Sequence, residues 1–206
     1  MKESYTIGEH VVSFEPSTHQ YTIDGINVPS VTQIIDEILG KPYKNVNPEI
    51  LEIAAKKGTN LHDMIERYER FGQKTYHVEM QGYIALKNQY QINVLKSEQI
   101  VIIYDGAIPI AAGRFDMVVN SPYMEGKGIV DVKRMAHLDM KRLTLQLNLY
   151  KLGYEQTYKE NIQYLKCLHI RNRHKDYIDI PIDSKLVSNV INTHLRNHPI
   201  DYTLYY

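Results

Sequence analysis

The chain has one cysteine, no tryptophan and only three phenylalanines in 206 residues. A lone Cys167 makes no internal disulfide and supplies no cysteine-rich zinc or iron–sulfur site, so the fold is expected to hold by its core in a reducing compartment. A cytoplasmic location is the expectation. No run approaches the roughly 18 apolar residues of a membrane helix, and Met1-Lys-Glu-Ser-Tyr-Thr6 lacks the basic-then-apolar pattern of a signal peptide. Excess charge is also missing. Twenty-four Lys plus Arg stand against 24 Asp plus Glu, so the total names no polyanionic partner. There is no internal repeat and no low-complexity tract.

What the chain does have is tyrosine, 17 of them, amphipathic rings whose hydroxyls need partners when buried. With 43% hydrophobic and 23% charged residues, the composition is that of a globular protein. The length suits a single domain. Its expected parts are an N-terminal hairpin and helix over 1–45, a core over 46–183 and a C-terminal helix and tail over 184–206.

Val11–Phe14 and Tyr21–Asp24 are β-rich runs with Asp24-Gly25 as a turn, which predicts a small hairpin. Ser30 followed by Val31–Leu39, then Gly40 and Pro42, predicts a short capped helix. Pro48 suits the first turn of a longer helix reaching Phe71-Gly72, weakened in the middle by Gly58. A further helix is expected over 78–91. Strands follow at Gln99–Tyr104, Ile108–Val119 and Gly128–Lys133, in the manner of a β-meander. Residues 139–158 are ambiguous, since Leu143, Leu145, Leu147 and Leu149 alternate like a strand; the length of the segment favours helix. Tyr164–Ile170, a basic turn at Arg171–Lys175, Tyr177–Ile180 and a helix near 184–196 complete an α/β chain.

Asp131-Val-Lys133 puts a carboxylate and an ammonium on one face of an apolar strand, because side chains alternate with period two. A solvated surface pair would read the same. Gly113-Arg-Phe-Asp116 ends the preceding strand, so a short antiparallel connection would set Asp116 beside Asp131. Two converging carboxylates repel unless protonated or bridged by a cation, and an oxygen-rich pair suits Mg²⁺ or Mn²⁺. His62, on the long helix, is unremarkable alone; added to two carboxylates it makes the set tolerant of Mn²⁺. Glu66, one turn further on, orients His62 or faces solvent. Gln146 and Tyr150 share one face if 139–158 is helical.

Taken in order, Gly58-Thr-Asn-Leu-His62 through Glu66, then Gly113-Arg-Phe-Asp116, Ile129-Val-Asp-Val-Lys133 and Gln146 with Tyr150 resemble the PD-(D/E)XK nuclease superfamily, in its RecB-type branch with phage exonucleases. The resemblance runs from about Thr59 to Tyr150, and Gly25-Ile-Asn-Val-Pro-Ser-Val-Thr32 is similar to the lead-in of small phage-type members. It implies a restriction-endonuclease-like α/β (α+β) core, a central mixed sheet flanked by helices. It also implies a metal-dependent deoxyribonuclease, an exonuclease of recombination or DNA end processing in a bacterial or phage-infected cell. On this resemblance His62, Asp116, Asp131 and the backbone carbonyl of Val132 hold Mg²⁺ or Mn²⁺, with Glu98 an outer or second-metal carboxylate. Lys133 orients or activates the attacking water. Gln146, Tyr150, Arg114 and Arg134 touch the DNA strand. The implied partners are DNA with a free end, a phage recombination protein such as a single-strand annealing protein, and further copies of the chain; a membrane and an iron–sulfur cluster are not among them.

Two rival readings share these residues: a structure- or sequence-specific endonuclease on the same core, and a non-catalytic nucleic-acid-binding or inhibitory module. Splitting the charge at residue 120 sharpens the picture. Residues 1–120 hold 11 basic and 15 acidic side chains, and residues 121–206 hold 13 and 9. The zero is a cancellation, and it predicts DNA binding that is metal-assisted and local to the C-terminal half.

Overall fold

A computed structural model describes residues 2–16, 18, 20–43 and 46–201; the last five residues of the expected C-terminal tail lie outside this set. The chain opens with four antiparallel strands in sequence order, β1 (Glu3–Ile7), β2 (His10–Glu15), β3 (Gln20–Ile23) and β4 (Ile26–Val28). The hairpin read from the sequence is β2–β3. Its outer neighbours are half-exposed strands, which lack the run of apolar residues that makes a strand legible.

Helix α1 (Val31–Leu39) starts at a capping box, in which the Ser30 hydroxyl accepts from the Gln33 N–H while Gln33 returns a contact to the Ser30 N–H. Helix α2 (Pro48–Phe71) has Asn47 as its N-cap, Pro48 in its first turn and Gly72 in the left-handed conformation at its end. It runs unbroken through Gly58. Ion pairs one turn apart, Glu52 with Lys56, Asp63 with Arg67 and Glu66 with Arg70, support it. Helix α3 (Val78–Gln89) follows.

The second sheet has five strands in the order β5 (Asn93–Asp105), β6 (Ile108–Ser121), β7 (Met124–Lys133), β8 (Tyr164–Arg171) and β9 (His174–Ile180). All neighbours are antiparallel except β7 and β8. A parallel pair needs a crossover, and α4 (Met140–Tyr158) supplies it. Helix α5 (Ser184–Asn197) closes the described chain. The alternating leucines of α4 have a simple cause: Leu143, Leu145, Leu147 and Leu149 are all buried, since a helix covered on most sides is apolar on most sides.

The molecule is therefore an α+β core with a four-stranded N-terminal sheet. One core cluster joins α1, α4 and α5 to one face of the five-stranded sheet, and a second joins α2 and α3 to the other. A third packs the N-terminal sheet on β5 and β6. Among the described residues no helix is long and apolar enough to cross a membrane.

Candidate active site

The chemistry-bearing residues meet where β6 and β7 part. These strands pair from Ser121 and Met124 as far as Met117 and Val130, after which β7 continues beside β8 to the pair Lys133 and His169. At the opening of this fork a side chain takes the place of the missing backbone partner: the Val132 N–H donates to Asp116 Oδ2 at 2.6 Å. That anchors the carboxylate, since a bond from a backbone N–H to an anion is short and directional.

The other oxygen of Asp116 faces α2. His62 Nδ1 lies 3.1 Å from Asp116 Oδ1, and the negative charge of Asp116 holds the His62 imidazole well above its ordinary pKa, at about 9, against the opposing effect of burial. Burial would raise the Asp116 carboxyl, but His62, Lys133 and the Val132 N–H outweigh it and hold the group below its usual range. Glu98 completes the set. One donor atom each from His62, Glu98 and Asp116 lies within 4.8 Å of the others. They line a cavity of about 10 Å³ together with Glu66, Ser97 and Val132, close to the volume of one water-sized sphere.

Glu98 is there at a cost. Its φ is 50° in the middle of β5, a left-handed backbone that disfavours a side-chain-bearing residue by about 1–2 kcal/mol. Burial, with the nearby Asp116 charge, lifts its carboxyl to about 7. Strain of this kind persists where the surroundings impose it, commonly at functional sites.

Asp131 and Lys133 occupy the other side of the fork, where both sense Tyr150 of α4. Lys133 Nζ approaches Asp131 Oδ2 at 2.7 Å. That ammonium is the charge partner of a buried carboxylate oxygen that has no other donor. Burial, together with the Asp116 charge, raises the Asp131 carboxyl even against Lys133. Lys133 in turn has its pKa raised, the charges of Asp131 and Asp116 overcoming desolvation. Gln146 Nε2 donates to the Tyr150 hydroxyl at 3.1 Å, and burial pushes that phenol up to about 12. Gly113 makes the position of Tyr150 possible: a Cβ there would sit 2.8 Å from Tyr150 Cε1 and 2.9 Å from Val31 Cγ2.

The donor chemistry fits a hard divalent cation. Two carboxylates, Glu98 and Asp116, and the His62 imidazole gather around a one-ion cavity that Glu66 also lines.

Several expectations need revision in detail. The Val132 N–H is taken up by Asp116, and in a strand the carbonyl of a residue points to the same side as its N–H. Arg114 is held by Glu98 at 3.1 Å and Glu3 at 3.2 Å, over the Phe14 ring. Arg134 is sunk onto Glu79 at 2.8 Å with its side chain 11% exposed. Tyr150 is buried and offers no face for a base to stack on. A basic group that stays open among the described residues is the β8–β9 turn. Arg171 and Arg173 are exposed and line a cleft of about 340 Å³ with Met135, His169 and His174, next to Lys133 through its register with His169. Glu3 and Glu79, which neutralise Arg114 and Arg134, gave no sequence signal, because each is brought to its partner only by the tertiary fold.

No family model matches the chain, and no curated protein matches it. Among solved structures it is similar to one described as "Crystal structure of SSO0001", with a TM-score of 0.38 and 11% identity over 83% of this chain and 84% of that one. A likeness at that level bears on neither fold nor chemistry.

Proposed function

We propose that the chain is a divalent-metal-dependent nuclease of the PD-(D/E)XK kind, an exonuclease hydrolysing phosphodiester bonds of DNA. The observation that carries this reading is the β6–β7 fork, where His62, Glu98 and Asp116 converge on a one-ion cavity beside the ion pair of Lys133 with buried Asp131. His62, Glu98 and Asp116 would hold Mg²⁺ or Mn²⁺, with Asp131 joining from the facing strand. When bound, such an ion activates water and offsets the charge on the phosphoryl and departing oxygens.

The chain's own residues supply the rest. Lys133 enters as a cation, because its neighbours raise its pKa; it orients the attacking water and offsets negative charge on the scissile group. Asp116 is preset by the Val132 N–H, which orients its carboxylate before a cation arrives. Gln146 and buried Tyr150 support the wall behind Asp131 and Lys133. Phosphate contacts fall to the exposed Arg171 and Arg173, since Arg114 and Arg134 are already neutralised.

Incubation with end-labelled linear duplex and with closed circular duplex in Mg²⁺ tests the reading. Loss of label from linear DNA alone supports an exonuclease. Cutting of the circle shows an endonuclease on the same fork, and inertness toward both, with folded protein and bound metal, shows a non-catalytic module.

A further inference from the structure

We propose that Glu37 of α1 with His194 and His198 of α5 and its cap form a second metal site, separate from the β6–β7 fork and suited to Zn²⁺. His194 and His198 lie one helical turn apart, and the Glu37 carboxylate faces both. Glu37 Oε2 is 2.7 Å from His194 Nδ1 and 3.4 Å from His198 Nε2. One donor atom from each of the three residues lies within 4.8 Å of the others. A tetrahedral ion with bonds of about 2.0–2.1 Å spaces its ligands roughly 3.4 Å apart, so the two carboxylate separations need only small side-chain rotations to accept one.

The surroundings fit a site more than a chance surface cluster. His194 is buried, with its side chain 8% exposed, while His198 reaches solvent, so one ligand is fixed by packing and another can close over an arriving ion. Asn197 donates to Glu37 Oε1 at 2.7 Å and thereby turns Oε2 toward the imidazoles; such outer contacts orient metal-binding carboxylates. A cleft of about 440 Å³ bounded by Pro29, Gln33 and Ile34 opens beside the three residues and leaves a fourth position for water. Two imidazoles with one carboxylate select a borderline ion such as Zn²⁺ over Mg²⁺.

The consequence is mechanical. The ion joins α1, in the N-terminal part, to α5 at the far end of the chain, residues 157 apart in sequence. Because the three ligands meet only in the folded protein, the ion stabilises the fold by mass action. Without the ion the Glu37 carboxylate is held by His194 and Asn197.

Tag-free protein titrated with Co²⁺ as a spectroscopic probe, and heated with and without Zn²⁺, tests the site without reference to nuclease activity. Wild type and Asp116→Ala, which removes the fork's ligand set, are expected to show a tetrahedral Co²⁺ absorption band and a Zn²⁺-raised Tm. His198→Ala, at an exposed position that leaves packing intact, is expected to lose both, with Zn²⁺ affinity down more than about tenfold. His174→Ala, which alters the separate His169, His174 and Asp176 cluster, is expected to keep both. A band and Tm shift that survive in both His198→Ala and Glu37→Gln, or that vanish in His174→Ala, overturn the proposal, as does wild type that binds no Zn²⁺.

Discussion

His62 Nδ1 sits 3.1 Å from Asp116 Oδ1, an ion pair between residues 54 apart in sequence that closes α2 onto β6 at the mouth of the fork. Since Asp116 holds His62 at a pKa of about 9, the metal-free protein carries an imidazolium at neutral pH, and an incoming cation has to displace its proton. Calorimetric titration with Mn²⁺ at pH 7.5, in two buffers of different ionisation enthalpy, is expected to report release of about one proton per ion. In His62→Asn most of that release disappears, the remainder coming from the Glu98 carboxyl. Equal heats in both buffers for the wild type would contradict the assignment of His62 as a ligand.

The same pair sets a pH dependence for the metal-free fold. His62 is raised in the folded state, so its contribution is fully present below its unfolded pKa of about 6.5 and is lost as pH rises through about 9. Glu98 is a carboxyl raised to about 7; the folded state favours its neutral form, so stability falls as pH climbs from about 4.5 to 7. Both effects have one sign. The Tm of metal-free protein is expected to decline steadily from pH 5 to 9, and less steeply in a His62→Asn, Glu98→Gln double variant. Parallel profiles for the two proteins would show that these groups do not control the fork.

Gly113→Ala tests the packing behind the site. The added methyl meets Tyr150 and Val31 below 3 Å, an overpacking expected to cost about 1–3 kcal/mol and visible as a lower urea midpoint. Because the displaced ring is the one behind Asp131 and Lys133, cleavage should fall further than stability accounts for. A loss of stability with unchanged turnover would place Tyr150 outside the site's support.

If Arg171 and Arg173 carry phosphate contacts, replacing both by Ala weakens duplex binding by a similar factor for unrelated sequences. It also lowers the slope of log affinity against log salt by about 1.8. Fluorescence anisotropy across a salt series measures both. An unchanged slope would move the strand elsewhere on the surface.

Much of this architecture was legible because local chemistry and tertiary context agree. The capped start of α1 after Ser30, Pro48 at the start of α2, and the apolar runs of the three central strands all read directly from sequence. Strand β5 is the informative exception. Its first six residues, from Asn93 to Glu98, are mostly polar and were not expected to be strand. Asn93, Val94, Lys96 and Ser97 pair with β6 all the same; of the polar residues Ser97 and Glu98 line the fork cavity, where function commonly breaks the local pattern, while Lys96 is held by Tyr154 and Glu160. In the site, Asp116, Asp131 and Lys133 could be set together from strand periodicity. The left-handed backbone of Glu98, the neutralisation of Arg114 by Glu3 and Glu98, and the burial of Arg134 on Glu79 could not, because each depends on residues that only the fold brings into contact.

The most direct measurement is release of acid-soluble nucleotide from linear DNA in Mn²⁺ by the wild type and by Asp131→Ala, with folding of both checked by circular dichroism. The account predicts release by the wild type that EDTA abolishes, and a rate at least about 10²-fold lower in the variant. Release that survives EDTA, or equal rates in the two proteins, would contradict it.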